Sequence, residues 1–580
     1  MDPADKATRV RRVQRWALGI ILLVGAAVFS PAVRTPFLFD DLMHSSMIEG
    51  TFPAPRGPTE LYDFVNARDR AVYVERGLLP WWAQPELSIR FFRPLASALR
   101  WSEQRLIGPR VLVLHLHSFV WWAASVLAAS ALFGRLLGFR GRILATAVFA
   151  LGPWHLLPLA WVANREVLMA LTLGCLALSA QLAWHGSRRG RSAGLAALGW
   201  TLALASGEYA LCFGGYVLAL EALRVGANVR TRLLGLSLFA LPAAAYLVLH
   251  VALGYGTRGS SFYLDPVHEP LAFLENAPRH FVILLGEAWL TVGAKPWGTA
   301  APAGLVALMV AGAGGLALAP LRRAFAAQEP ARRRVLAAFL AGSFLALVPV
   351  LAVVPAPRLA GVSAVGMAVT LGLLLEHVWF PRGAARGRFA ELAGAAAALF
   401  AFTQLVRGPV ATCVAASELR RTARAFVETA GSLRRELPPL ESARVVVLRG
   451  MGGSFFGPFA LDPRGVQPRS WQVLAHTGHI LLLRVDSHTL ELVAARGDAV
   501  YPPRANLFRN RASALAAGDS APIHGARVSV EEIGPAGPWR VRVRFDEDLD
   551  DARITWVHET FRGLQRVELP KVGFGVPLDP

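Results

Sequence analysis

The chain has 580 residues, 54% apolar and only 17% charged. A soluble protein carries about 25% charged residues, so the composition excludes a string of ordinary soluble domains and makes lipid the main solvent. The formal net charge of +20 would suit nucleic acid in a soluble protein, but here the arginines stand in short clusters between apolar runs, the pattern that orients a membrane protein. The charge is read as topology, with no nucleic-acid partner. Lysine is nearly absent (Lys6, Lys295, Lys571), a bias expected of a GC-rich bacterial genome. Cys175, Cys212 and Cys413 build neither a disulfide framework nor a thiolate metal site.

A membrane-crossing helix needs about 20 apolar residues. The first run, Trp16 to Val33, follows the basic stretch Arg9–Arg15 and is expected as an uncleaved anchor with a cytoplasmic N-terminus. Further runs cover about 111–133, 143–161, 167–184, 193–206, 209–223, 233–254, 302–320, 335–354, 359–378 and 389–406, which makes about eleven spans. With the N-terminus inside, the arginine clusters at 135–142, 188–191, 224–232, 322–334 and 382–388 all fall on the inner side. The run from Phe281 to Val292 is too short to cross and contains Glu287, so it is expected to lie along the outer face. This topology puts residues 34–110 outside as a first periplasmic loop, within a membrane domain of residues 1–410.

Residues 411–440 read as an amphipathic helical connector, followed from 441 to 580 by a periplasmic β-rich domain. Its short alternating segments, such as Arg540-Val-Arg-Val-Arg-Phe545, with Gly, Pro and Asp between them, predict an antiparallel, sandwich-like body. His476, His479, His488 and His524 lack the spacing of a ligand set.

Chemistry-bearing residues gather on the outer side. Asp40 and Asp41 stand adjacent close to the membrane, a pair able to divide the work of general base and cation ligand or pKa tuning. Ile89-Arg-Phe-Phe-Arg93-Pro-Leu95 offers planar guanidinium groups suited to phosphate. The third span ends in Gly152-Pro-Trp-His155 and continues through Trp161 to Asn164-Arg165-Glu166. Ser206-Gly207-Glu208 and Pro357-Arg358 add an acid and a cation to the same side. Ionisable residues at membrane depth are costly, so these elements predict one polar site.

The ordered motifs Phe37-Leu-Phe-Asp-Asp41, Phe92-Arg-Pro-Leu95, Pro153-Trp-His155…Ala160-Trp161…Arg165-Glu166 and Ala205-Ser-Gly-Glu208 resemble those of GT-C-fold integral-membrane glycosyltransferases. The likeness is to the protein O-mannosyltransferase group, including the tetratricopeptide-repeat members, and covers roughly residues 15–440. The chain departs from that pattern in keeping only His155 of two histidines, in having Gly207 in place of a lysine, in lacking two tyrosines near Arg358, and in carrying a β domain instead of a repeat array. The resemblance implies transfer of mannose or a similar hexose, with inversion, from a polyprenyl-phosphate carrier to an acceptor hydroxyl on the outer face of a bacterial inner membrane. It makes Asp40 the base or acceptor-orienting group, with Asp41 supporting it or binding a divalent cation (Mg or Mn). Arg93, Arg165 and Arg358 become carrier-phosphate contacts, and His155, Glu166 and Glu208 supporting groups. Protein, glycan and lipid-linked glycan all remain open as acceptors. Two other readings are an inactive scaffold whose β domain binds glycan or a partner, and a transporter or flippase, which would place ionisable residues at mid-membrane in paired halves.

Overall fold

A computed structural model describes residues 3–224, 227–294, 301–381, 388–462, 464–495, 497–502 and 506–579. Among them, eight helices are long and apolar enough to cross a membrane, or nine if the bent pair Phe139–Ala150 and Pro153–Ala160 is one span. The chain is a multi-pass membrane protein. The expected spans 193–206 and 209–223 are the short ones. Gly190–Ser206 ends at the polar Gly207-Glu208 turn, and the chain returns through a 3-10 stretch, Glu208–Phe213, into the nine-residue helix Gly214–Ala222.

The helix Gly361–Trp379 is almost wholly buried at the centre of the bundle. In lipid there is little hydrophobic gain from helix association, so small residues that allow close backbone approach do the packing. A Cβ on Gly366 would stand 2.2 Å from the Phe339 carbonyl oxygen, and one on Gly372 2.6 Å from that of Gly141. The basic loops meet at one end of the bundle: Arg332 Nε donates to the Leu136 carbonyl at 2.9 Å, and the Arg140 guanidinium lies over the Phe380 ring. Arg382 and Arg386 lie outside the described residues.

The opposite end carries everything else. The stretch 281–292 is the second half of the helix Pro270–Leu290 and the two residues after it. The chain reaches this helix through Leu264, whose N–H donates to the Ala352 carbonyl, and Gln404 donates to the carbonyl of Trp289 near its end. Its second half packs into the bundle, with Leu284, Ala288, Trp289 and Leu290 buried in the same core as the spans. The last span does not stop there. Arg388–Phe402, a π-helical turn Thr403–Arg407 and Gly408–Glu436 form one helical run into the β body, so residue 410 falls inside a helix. There the Leu564 N–H donates to Thr429 Oγ1 at 3.1 Å.

The β body holds a six-stranded and a four-stranded sheet. The first is antiparallel throughout, as expected. The second is not: the strand Arg444–Arg449 pairs in parallel with both Ile554–Thr560 and Ser470–Val473. All six residues of Arg444–Arg449 are buried, which is why Val445-Val-Val-Leu448 is a continuous apolar run, the mark of a strand covered on both faces. A third, small sheet joins Asp63–Val65, Ser88–Arg90 and Gly256–Arg258.

The first outer segment shares one hydrophobic core with the β body. Trp82 stacks on Tyr501 at 5.3 Å, Trp81 Nε1 donates to the Leu474 carbonyl at 2.9 Å, and Arg509 Nε donates to that of Trp82 at 2.6 Å.

Gly366→Ala is expected to lower the detergent-solubilised melting temperature, with an overpacking cost of about 1–3 kcal/mol. Gly394→Ala, which meets nothing within 4 Å, serves as the control and should leave it unchanged.

Candidate active site

Asp40 opens the helix Asp40–Glu49, and the turn before it is strained. Phe39 has φ of +40° and ψ of −108°, a region that L residues rarely adopt and that costs on the order of 1–3 kcal/mol. Its ring meets Trp161 edge-on at 5.8 Å and Phe456 of the β body in a tilted pair at 5.1 Å. Over-determination of this kind is what lets a strained turn persist.

The two adjacent aspartates are used differently. Asp41 is fully buried. Its Oδ1 accepts the Ala163 N–H at 2.6 Å, and its Oδ2 accepts those of Val162 at 3.2 Å and Leu38 at 3.1 Å. It therefore ties the turn after the first span to the turn after the third. Burial pushes its pKa up to about 6, against the pull of Arg100 and of the three amides. With both oxygens on backbone amides, and with no group of three His, Cys, Asp or Glu side chains placed to hold an ion among the described residues, Asp41 does not fit a divalent cation.

Asp40 faces a cavity of about 350 Å³ instead. Burial raises its pKa to about 7; Asp41 pushes in the same direction, while Arg93 and Arg358 pull against it. Across the cavity stand Arg93, Glu166, Glu208 and Arg358. Arg93 donates from Nε and Nη2 to both oxygens of Glu208, at 3.1 and 2.5 Å, and from Nη1 to Glu166 at 3.0 Å. It lies over the rings of Tyr62 and Phe91. Two carboxylates thus hold Arg93 in one pose. Arg358 is different: it lies 5.8 Å from the Trp161 ring centroid, and among the described residues it has no carboxylate within ion-pair distance. Leu247, half exposed on the helix Val229–Ala252, forms the apolar edge of the cavity.

Five of the expected site residues, Asp40, Arg93, Glu166, Glu208 and Arg358, line this one cavity. Arg165 is elsewhere. It is buried with Nη1 on both oxygens of Glu103, at 2.6 and 2.5 Å, Nη2 on the Leu114 carbonyl and Nε on Ser118 Oγ, so each of its nitrogens is engaged by a protein acceptor away from the cavity and it ties helices together. His155 is fully buried among Phe29, Phe149 and Trp154 and does not reach the cavity.

The departures from the family pattern have local answers. Gly207 packs against Arg93 and Glu166, and the cation beside Glu208 is Arg93. Near Arg358, Tyr209 donates its hydroxyl to the Arg358 carbonyl at 3.1 Å, and Tyr263 lines the cavity. Sequence reasoning missed Tyr263 and the β-body aromatics Phe455 and Phe456. The only local sign of the latter pair was the glycine-rich, aromatic stretch Gly450-Met-Gly-Gly-Ser-Phe-Phe-Gly457.

No protein-family model and no curated protein sequence matches the chain. Among solved structures, it is similar to the archaeal oligosaccharyltransferase AglB from Archaeoglobus fulgidus in complex with an inhibitory peptide and a dolichol-phosphate. The identity is 13% and the TM-score 0.44, over 79% of this chain and 64% of that one. It is also similar to ArnT from Cupriavidus metallidurans bound to undecaprenyl phosphate, at 12% identity and a TM-score of 0.38, over 80% of this chain and 85% of that one. The chain therefore spans just under two thirds of the oligosaccharyltransferase's length. At these values the likeness assigns neither activity nor residue roles here.

Asp41→Ala should strand three backbone donors and cost about 2–4 kcal/mol, seen as a lower melting temperature. Asp40→Asn should leave the protein at least as stable as wild type at pH 8. Because the folded Asp40 pKa lies above its unfolded value, its contribution to stability is complete below pH 4 and is lost as pH rises towards 7. The variant should lack that part of the pH dependence of melting.

Proposed function

We propose that the chain is a membrane glycosyltransferase of the GT-C type that moves a hexose, mannose or a close relative, from a polyprenyl-phosphate carrier to an acceptor hydroxyl. The carrying observation is that Asp40, a carboxylate with a pKa near 7 and no hydrogen-bond partner among the described residues, shares one cavity with the cation Arg358, which has no carboxylate partner. The motif order described above supports the same reading.

The chemistry follows from the two groups. The Asp40 carboxylate takes the proton of the acceptor hydroxyl while that oxygen bonds to the anomeric carbon from the face opposite the carrier. The anomeric C–O bond to phosphate breaks, and both electrons leave with the carrier phosphate, whose charge Arg358 meets. Configuration inverts. A base with a pKa near the working pH is well matched to this task, and fixed cations on a departing phosphate act without reorganising. Arg93 is a positioning group: held by Glu166 and Glu208, it sets the wall against which the sugar sits. The apolar edge at Leu247 suits a polyprenyl chain entering from the bilayer. Positive-inside orientation puts the basic-loop end in the cytoplasm and the cavity on the periplasmic side of a bacterial inner membrane.

Transfer of radiolabelled mannose from a synthetic polyprenyl-phosphate mannose, in membranes containing the full chain, tests this reading. Transfer should fall about tenfold per pH unit below about 7 and level off above it. Asp40→Asn should reduce it by about 10²–10⁴-fold without loss of folded protein. Wild-type turnover in that variant would sink the role of Asp40. Arg358→Ala should lower kcat more than it raises the acceptor KM, and Arg358→Lys should recover part of the loss; equal activity of all three proteins would remove Arg358 from the mechanism.

A further inference from the structure

Asp40 borders a second cavity, of about 100 Å³, on its other side. Asp40, Phe64, Phe91 and Tyr263 line both cavities, which therefore adjoin at these residues. The far walls of the second cavity come from the first outer segment, with Phe52 and Leu79, and from the β body, with Phe455, Phe456, Phe459 and Phe508. Among the described residues, no membrane span contributes to it.

This pocket is held open by contacts outside it. Glu559, buried in the β body, accepts the N–H groups of Met451 at 2.5 Å and Ser454 at 2.9 Å, and Trp471 Nε1 donates to the Ser454 carbonyl at 2.8 Å. Those bonds fix the glycine-rich loop that delivers Phe455 and Phe456. Phe52 then stacks on Phe459 at 5.7 Å, and Phe455 meets Phe508 at 4.6 Å. The loop is pinned, so the space is preformed.

The polar inventory decides what fits. Among the described residues, the side-chain polar groups lining the pocket besides Asp40 are the Tyr73 and Tyr263 hydroxyls, and Tyr73 already accepts from Arg56 Nη2 at 3.0 Å. A sugar ring would bring several hydroxyls into a space that cannot pair them, which is costly. A small, largely aromatic cavity of this kind suits a single apolar ring. A lipid tail would have to leave the bilayer to reach walls built wholly from extramembrane segments, whereas a polypeptide side chain reaches them from the aqueous side.

We propose that this pocket is an acceptor subsite for one aromatic side chain of a polypeptide, which brings the acceptor hydroxyl to Asp40 from the side opposite the carrier phosphate. The proposal rests on the glycosyltransferase reading for the fate of that hydroxyl, but the subsite itself is tested by binding alone. The polar groove beside it, about 990 Å³ and lined by Glu269, Glu275, Arg279 and Arg511, is bordered by the same two segments, 261–264 and 507–512, and gives the peptide backbone a path to the pocket.

The experiment is ligand-observed NMR on the detergent-solubilised full chain, with 4-methylphenol and methyl α-mannoside as probes. Wild type should bind 4-methylphenol saturably and methyl α-mannoside at least tenfold more weakly at this pocket. Val65→Phe and Leu507→Phe each place a ring in the space from a different wall, so failure of one to fold leaves the other. Either should weaken 4-methylphenol binding at least tenfold. Saturable binding unchanged in a folded, ring-filled variant, no saturable binding to wild type, or displacement of 4-methylphenol by the sugar would each overturn the subsite. Binding as expected, with no transfer from any carrier-linked sugar, would keep the subsite and discard the glycosyltransferase reading.

Discussion

The arrangement depends on one carboxylate that does no chemistry. Asp41 takes backbone amides from two turns far apart in the chain, one closing the first span and one closing the third. That tie, with the Phe39–Trp161 ring contact, sets the distance between the strained Phe39–Asp40 turn and the Asn164–Glu166 turn that receives Arg93. Satisfying three buried amide donors at once is an exacting use for an acid, and it leaves the neighbouring Asp40 as the side chain that points into open space. Two identical residues in sequence thus become a strut and a reactive group through the direction each side chain takes from the helix start.

Much of the site was legible because charge at membrane depth is expensive. Asp40, Glu166, Glu208 and Arg358 stand close to where a membrane helix ends, with Arg93 on the first outer segment beside them, and each needs a partner or a ligand there. The same argument misplaced Arg165 and His155. Arg165 finds its partner in Glu103, 62 residues earlier, and no local pattern announces that pairing. His155 is simply packed. Cost at depth marks which residues matter without saying whether a protein group or a substrate meets the charge.

The fold divides in the same way. Long apolar runs announce spans by length alone, and the amphipathic stretch after residue 410 announced a helix. That this helix is continuous with the last span depends on a π-helical turn, for which Thr403–Arg407 has no distinctive composition. The mixed sheet was hidden for another reason: Val445-Val-Val-Leu448 is too short to distinguish a doubly covered parallel strand from one face of an antiparallel pair. The shared core between the first outer segment and the β body was invisible because it joins residues some 400 positions apart.

The continuous helical run from Arg388 to Glu436, with its one π-helical turn, has a geometric consequence. A helix advances about 1.5 Å and turns about 100° for every residue, so its length fixes both the height of the β body above the bilayer and the compass bearing at which that body faces the bundle. Phe456 meets Phe39 only at one bearing. Insertions in this shaft therefore act as rotations first and extensions second, and a chain lengthened by one residue is further out of phase than one lengthened by a full turn. The β body is docked by phase, like a toothed coupling, and an added length close to a whole turn disturbs that docking less than a single added residue.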